Sequence, residues 1–171
     1  MRRLLVLLVL WLPLPAWSFC FQEAGQRYGL DPLLLQAIAI QESNLRPQAV
    51  NYNRDDKGRI TSTDYGVMQI NTDNAERLIR AGLISRPEDL LRNACFNVQA
   101  GAWVLARHLR VCGKNWRCLG TYNAGFHPSP RQEARRVHYA QLIRALYNRL
   151  KAGQGAVPAA VAANTGSGDS G

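Results

Sequence analysis

Residues 31–43, DPLLLQAIAIQES, form an apolar segment that ends in a carboxylate. Asp31 and Pro32 are residue types favoured at the N-cap and at the first helical position, so they predict the start of a helix. The apolar residues that follow cover nearly the whole circumference of that helix, which predicts that it is buried. Glu42 then falls in its last turn, where the helix dipole disfavours a negative charge. Glu42 is therefore a candidate functional acid, and an exposed glutamate at a helix end is the alternative.

The segments around this helix predict a mainly helical domain with one small β element. Residues 51–71, NYNRDDKGRITSTDYGVMQIN, carry a turn signal and then β-branched and aromatic residues, which predicts a small antiparallel hairpin or sheet. A long helix is predicted from about residue 131 to residue 151. The residues expected to face inward from it are Val137, Leu142, Leu146 and Leu150. Further helices are predicted at residues 21–29, 73–82, 85–93 and 96–109.

The two ends of the chain differ in composition from a folded core. Arg2 and Arg3 precede a short apolar run, prolines interrupt that run, and small residues follow at a cleavage site, which is the layout of a secretory signal peptide. The run is shorter than the roughly 20 apolar residues that a membrane-spanning helix needs. Residues 152–171 contain small residues and no large core former, which predicts a disordered tail. The expected organisation is a signal peptide at 1–18, a folded domain at 19–151 and this tail.

Four cysteines remain after the signal peptide, and export would place them in an oxidising compartment. They are Cys20, Cys95, Cys112 and Cys118. Four cysteines allow three pairings. Cys112 and Cys118 enclose the short loop CGKNWRC and are natural partners, which would leave Cys20 to pair with Cys95. No metal site is indicated, because the chain has no CxxC pair and its histidines show no ligand spacing.

The chain is basic, with 21 Lys and Arg against 12 Asp and Glu. Without the signal peptide, which holds Arg2 and Arg3, the net charge is +7. A basic exported protein suits an anionic partner such as a cell-wall polymer, a membrane surface or a nucleic acid. Charge alone does not choose among these partners. A nucleic-acid partner is not expected, because no paired zinc motif or RNP element is present.

Three motifs follow one another along the chain: QESN at 41–44, STDYGVMQIN at 62–71 and TYNAG at 121–125. Together they resemble the lytic transglycosylase family of the lysozyme superfamily, over roughly residues 19–147. The stretch FNVQAG at 96–101 matches a structural element of the family, with Gly101 permitting close helix packing. The resemblance implies an α+β, mainly α, lysozyme-like fold with a small antiparallel sheet beside a catalytic cleft. It also implies a monomer that needs no cofactor.

Within the family, the chain is most similar to the small exported members that accompany secretion machines, pili and conjugation systems. The resemblance implies a periplasmic enzyme that cuts the glycan strands of peptidoglycan between MurNAc and GlcNAc. The cut would open the wall locally for an envelope-spanning apparatus, whose components are the implied protein partners.

The resemblance makes Glu42 the catalytic acid, and its predicted surroundings suit that task. Cleaving a glycosidic bond requires protonation of a poor leaving oxygen, but an ordinary carboxyl group is ionised at neutral pH. Burial against apolar neighbours and a position at a helix C-terminus both raise the pKa. In the family the same glutamate then acts as base on the 6-hydroxyl of the muramoyl sugar. The implied product is a 1,6-anhydro sugar, formed without water, with the substrate's N-acetyl group stabilising the positive charge.

Asp64 is a possible second carboxylate. It stands in STDYG where animal-type lysozymes keep theirs, and two carboxylates would permit a retaining hydrolase, a muramidase, that uses Glu42 and Asp64. Asp64 could instead be a hairpin residue that supports the sheet. An alternative of another class is a non-catalytic wall-binding assembly factor.

Six further residues carry over from the resemblance as substrate-binding residues: Ser43, Met68, Gln69, Tyr122, Asn123 and Tyr139. Ser43 could orient the Glu42 carboxyl or cap the helix end. Met68 could line the cleft or fill the core, and Tyr139 could lie near the acid or be a core aromatic. The chain departs from the family at Arg135, where many members have a glutamate four residues before the tyrosine.

Overall fold

The computed structural model describes residues 19–153. The expected signal peptide, and the expected tail beyond Gly153, lie outside the described residues. The α-helices are α1 Phe21–Tyr28, α2 Pro32–Ser43, α3 Thr72–Arg80, α4 Ala94–Cys112, α5 Trp116–Leu119, α6 Thr121–Ala124 and α7 Pro130–Lys151, with a 3₁₀ helix at Pro87–Leu91. The strands are β1 Val50–Arg54, β2 Ile60–Tyr65 and β3 Ile70–Asn71. This mainly helical α+β architecture confirms the fold class expected from the sequence. No helix in the described part is long and apolar enough to span a bilayer.

Helix α2 is the buried helix that its sequence predicts. The Asp31 carboxylate accepts a hydrogen bond from the Leu33 backbone N–H at 2.8 Å and caps the first turn. Leu35 and Ile38 have no exposed surface. The helix ends at Asn44, whose left-handed backbone is a common helix stop for asparagine. The helix packs along α7, so its last turn and Glu42 lie against that helix.

The three strands form one antiparallel sheet in the order β1-β2-β3. The β1–β2 turn is held by Asp55, whose Oδ1 accepts hydrogen bonds from the backbone N–H groups of Lys57 and Arg59, each at 2.9 Å. In the sheet register, Asp64 on the central strand lies opposite Asn51 on one side and Asn71 on the other.

The chain turns a sharp corner between β2 and β3, and α4 holds that corner in place. Asn97 of α4 is buried; its Oδ1 accepts a hydrogen bond from the Met68 backbone N–H at 2.7 Å. Its Nδ2 donates to the carbonyls of Tyr65 at 2.9 Å and Leu90 at 3.2 Å. A Cβ added at Gly101 would come within 2.6 Å of the Met68 side chain, so glycine permits this close packing.

Two disulfides brace the helical part. Cys20 is bonded to Cys95, which joins the start of the domain to α4. Cys112 is bonded to Cys118, which closes the loop between α4 and α5. This is the pairing that the sequence favoured.

Helix α7 buries a different face from the one expected. Val137 and Leu142 are 42% and 37% exposed, so the prediction that they face inward is wrong. Arg136, Tyr139 and Ile143 are buried instead. The buried arginine is possible because its guanidinium is paired within the protein, which removes most of the cost of taking a charge out of water. The face that α7 turns inward is therefore set by polar contacts as well as by apolar side chains.

Candidate active site

Glu42 lies at the C-terminal end of α2, partly buried, with Tyr139 of α7 against it. The Tyr139 hydroxyl donates a hydrogen bond to Oε1 of Glu42. Burial raises the pKa of Glu42 from its ordinary 4.5 to about 7; the Tyr139 hydrogen bond opposes this rise, and the negative charge of Asp64 adds to it. A carboxyl group with this pKa is protonated in a large fraction of molecules at neutral pH, so it can donate a proton there.

Two tyrosines face this carboxyl group from different helices. The Tyr122 hydroxyl of α6 donates to the backbone carbonyl of Met68 at 2.8 Å. Burial raises the pKa of Tyr122 well above its usual range, and the charges of Glu42 and Asp64 raise it further. Burial and the Glu42 charge likewise raise the pKa of Tyr139. Both hydroxyls therefore stay protonated. Tyr122 lies close enough to the Glu42 and Asp64 carboxylates for both charges to raise its pKa.

Asp64 faces the same site from the central strand. The Asn53 side-chain amide of β1 donates to Oδ2 of Asp64 at 2.8 Å and to the Ser62 hydroxyl at 2.9 Å. These contacts hold the carboxylate in one orientation. Because its charge contributes to the raised pKa of Glu42, the sheet brings a second carboxylate to the site.

The contacts of Ser43 and Met68 fit the structural alternatives that the sequence left open for them, a helix-end cap and a core side chain. The Ser43 hydroxyl donates to the Val67 carbonyl at 2.9 Å and accepts from the Arg46 backbone N–H at 3.1 Å, so it ties the end of α2 to the sheet corner instead of orienting Glu42. Met68 has no exposed surface, so its side chain fills the core and does not line a cleft. Its backbone carbonyl, held by Tyr122, is the part that belongs to the site.

The side-chain amides of Gln69 and Asn123 differ in whether they are free to hydrogen-bond to a sugar. Gln69 uses its side-chain N–H groups within the protein, donating to the carbonyls of Gly66 at 2.8 Å and Ala49 at 3.3 Å. Asn123 is exposed on α6, next to Tyr122. Of the two, Asn123 is the better placed to donate a hydrogen bond to a substrate N-acetyl group.

The sequence motifs missed an ion cluster around the buried Arg136 that positions the end of α6. Arg136 donates to the carbonyls of Gly125 at 3.0 Å and His127 at 3.2 Å, which fixes the loop after α6 to α7. Glu133 pairs with Arg136 at 2.8 Å and with Arg117 at 2.6 Å. The i, i+3 spacing of Glu133 and Arg136 was the one sequence signal for this pairing. At the position where the family often has glutamate, Arg135 is exposed.

Asn53 is the other residue that sequence reasoning missed. No motif identifies it, since its contact with Asp64 depends on the strand register. Within residues 19–153, no three His, Cys, Asp or Glu side chains lie close enough together to hold a metal ion.

Comparison with known proteins places these observations in a family. Residues 19–145 match the model of the transglycosylase SLT domain. An Escherichia coli protein named peptidoglycan-binding-like protein is 44% identical over 135 residues, which cover 79% of this chain and 80% of that protein. The invasion protein IagB of Salmonella typhimurium is 38% identical over 136 residues, 80% of this chain and 79% of that protein. The X polypeptide of Escherichia coli is 37% identical over 136 residues, 80% of this chain and 76% of that protein.

Proposed function

Because the chain belongs to the transglycosylase SLT domain family, the lytic transglycosylases that cleave peptidoglycan, we propose a specific reaction and site for it. The enzyme cuts the β-1,4 bond between MurNAc and GlcNAc and leaves a 1,6-anhydro-MurNAc end. The observation that carries this proposal is the Glu42 carboxyl group, partly buried at the end of α2, held by Tyr139, with its pKa raised to about 7.

In the first step, protonated Glu42 acts as the general acid. Its proton passes to the glycosidic oxygen as the bond between that oxygen and the anomeric carbon of MurNAc breaks, and GlcNAc leaves as an alcohol. The positive charge that develops on the MurNAc ring is stabilised by the substrate's own N-acetyl group. Asn123 binds this group, because its exposed amide can donate to the acetyl oxygen.

In the second step, the Glu42 carboxylate acts as the base. It takes the proton from the 6-hydroxyl of MurNAc as that oxygen bonds to the anomeric carbon. The ring closes to the 1,6-anhydro sugar, no water is consumed, and Glu42 is again protonated. A pKa near neutrality serves both steps, since the group must give a proton and then take one back.

Asp64 supports this cycle electrostatically. Its negative charge adds to the raised pKa of Glu42, and it also favours positive charge on the sugar. The same observation favours a second candidate function, a retaining hydrolase in which Asp64 attacks the anomeric carbon and water releases the sugar. The two functions share the substrate and differ in the product.

Digestion of purified peptidoglycan in heavy-oxygen water separates these two reactions. We expect muropeptides with anhydro ends, each lighter than a reducing end by one water and free of the heavy oxygen. We expect Asp64→Asn to give the same anhydro product at a lower rate. The substitution removes a negative charge that assists the reaction, but in the transglycosylase route Asp64 forms no bond to the sugar. Reducing ends that carry the heavy oxygen, lost in Asp64→Asn, would instead establish the hydrolase.

The cellular setting is part of the proposal. Residues 1–18 are a signal peptide, residues 19–151 are the mature periplasmic domain, and residues 152–171 are a tail outside it. Both disulfides support export, since such bonds persist in oxidising compartments. N-terminal sequencing of exported protein should begin at Phe19, and an uncut Met1 would contradict this.

We also propose that the enzyme opens the wall for an envelope-spanning secretion, pilus or conjugation machine. The support is its similarity to a protein named as an invasion protein. Normal assembly of the machine in a deletion strain would contradict that role.

A further inference from the structure

The positive charge of the domain is confined to its second half. Residues 94–151, which form helices α4 to α7, carry ten Lys and Arg and one acidic residue, Glu133. Residues 19–93 carry nine Lys and Arg and ten acidic residues, so they are close to neutral. Since Glu133 is already paired with Arg117 and Arg136, no acidic side chain in this half balances the other basic groups. The basic surface is therefore a property of helices α4 to α7.

An open apolar pocket of about 440 Å³ lies where this basic half meets the start of α2. We call it the Trp116 pocket; its lining residues are Gly29, Leu30, Asp31, Leu34, Leu109, Lys114, Asn115, Trp116 and Leu119. Asp31 and Glu42 stand 11 residues apart on one helix, so the pocket and the catalytic acid are separated by roughly 16 Å at 1.5 Å per residue. The pocket is therefore distinct from the catalytic site.

Basic groups surround the Trp116 pocket. Lys114 lines it from the disulfide-closed loop. The Arg144 guanidinium lies over the Trp116 ring at 5.8 Å from its centroid. The Tyr147 ring packs against Trp116 at 5.9 Å, and the Lys151 ammonium lies 5.7 Å from the Tyr147 centroid. An anionic group on the Lys114 and Trp116 side of the pocket would therefore meet two positive charges, those of Lys114 and Arg144.

Two polar side chains that line the pocket, Asp31 and Asn115, already make hydrogen bonds within the protein. Asp31 accepts from the Leu33 N–H at 2.8 Å and from the Tyr147 hydroxyl at 2.6 Å. Asn115 accepts from the Cys118 N–H at 2.8 Å and donates to the Cys112 carbonyl at 3.3 Å. A sugar, with its many hydroxyls, would find few free partners here. An apolar side chain needs none and would be buried by the leucines and Trp116.

We propose that the Trp116 pocket docks an apolar side chain from an acidic segment of a partner protein. The apolar lining takes the side chain, and Lys114 and Arg144, which lies over Trp116, pair with the flanking carboxylates. A concave pocket suits a protruding anchor from a peptide better than a flat membrane surface does. We expect this partner to be a component of the envelope machine, and that expectation rests on the proposed function. The pocket and its charges are independent of the proposed function.

Three short fluorescent peptides of equal length test the proposal. One has a central Phe flanked by Glu, one has Ala in place of the Phe, and one has Lys in place of the Glu. We expect the Glu-Phe peptide to bind about tenfold or more tightly than either of the others, because each control removes one of the two complementary features. Its binding should shift the NMR methyl signals of Leu30, Leu34, Leu109 and Leu119.

Two charge reversals make the test specific. Lys114→Glu should weaken the Glu-Phe peptide about tenfold and strengthen the Lys peptide. The matched reversal Lys57→Glu, on the exposed β1–β2 turn, should change neither. Both variants should cleave peptidoglycan at the wild-type rate, since neither residue belongs to the catalytic site. If the wild-type protein did not cleave peptidoglycan, the proposed function would be refuted, but the peptide-binding result would still hold.

Several outcomes would overturn the docking proposal. They are equal binding of the three peptides, methyl shifts away from the pocket, and no pocket shift at millimolar Glu-Phe peptide. If deleting residues 154–171 shifts the pocket methyls, the chain's own tail is the occupant. If anionic phosphatidylglycerol vesicles bind through Lys114 and the peptides do not, the partner is a membrane.

Discussion

Replacing Glu42 with Gln is expected to lower the rate of peptidoglycan cleavage by about 10³-fold while the domain stays folded. The amide has nearly the shape of the carboxylic acid and can still accept the Tyr139 hydrogen bond, so the packing between α2 and α7 survives. It has no proton to give and cannot take one back, so both steps of the proposed reaction fail. Release of soluble muropeptides from purified peptidoglycan measures the rate.

The folded state of this variant can be checked through the pH dependence of its stability. Wild-type Glu42 has a pKa of about 7 when folded and about 4.5 when unfolded, so the folded protein binds more protons between these values. Wild-type stability therefore falls as pH rises through that window, by roughly 3 kcal/mol from this group. The substituted amide does not ionise, so Glu42→Gln should be more stable than wild type at pH 8 and lose this advantage at pH 4.

Glu88→Gln is the matched control, because Glu88 is exposed on the 3₁₀ helix. It should leave both the rate and the stability unchanged. If the folded Glu42→Gln variant cleaved peptidoglycan at the wild-type rate, Glu42 would not be the catalytic acid. A wild-type protein that binds peptidoglycan without releasing muropeptides would instead be the non-catalytic assembly factor.

Replacing Asn97 with Ala is expected to lower the free energy of unfolding by roughly 3–5 kcal/mol. The substitution removes one acceptor and two donated hydrogen bonds, and it leaves the buried Met68 N–H without a partner. It also frees the corner between β2 and β3, whose Met68 carbonyl holds Tyr122. Urea unfolding measures the stability, and cleavage should fall even at temperatures where the variant is folded.

Asn93→Ala is the matched control for this prediction. Asn93 lies one turn earlier on the same chain segment and caps α4 by accepting a hydrogen bond from the Phe96 N–H at 3.0 Å. Losing a cap should cost about 1 kcal/mol and leave the rate unchanged. If Asn97→Ala cost no more than Asn93→Ala, the corner would not depend on Asn97.

Features with local signals could be predicted from the sequence. The start of α2 follows from Asp31 and Pro32, and its burial follows from apolar residues around the whole helix. The hairpin follows from its turn residues. Glu42 stood out because burial and the helix dipole both disfavour a negative charge at the end of such a helix, so a carboxylate there indicates a function.

Features that depend on tertiary contacts could not be predicted in this way. Val137 and Leu142 look like core residues in the sequence, whereas Arg136 does not. Arg136 can be buried because it pairs with Glu133 and donates to the carbonyls of Gly125 and His127. The sequence left open whether Met68 lines a cleft or fills the core, and the absence of a side chain at Gly101 on α4 gives it room in the core.

The register of the sheet and the assembly of the helices account for the rest. Asn53 reaches Asp64 only because β1 and β2 pair in this register. The Trp116 pocket combines residues from α2, α4 and α5 with the preceding loops, so no single segment encodes it.

Titration of the Glu42 side-chain carboxyl by NMR is the most direct test of Glu42 as the catalytic acid. The protein, labelled with carbon-13 at this carboxyl, is followed as the pH is raised. The predicted midpoint is near pH 7, and Tyr139→Phe should move it higher, because that variant lacks a hydrogen bond that favours the ionised form. A midpoint near the ordinary 4.5 would contradict the assignment, since the group would then have no proton to donate at neutral pH.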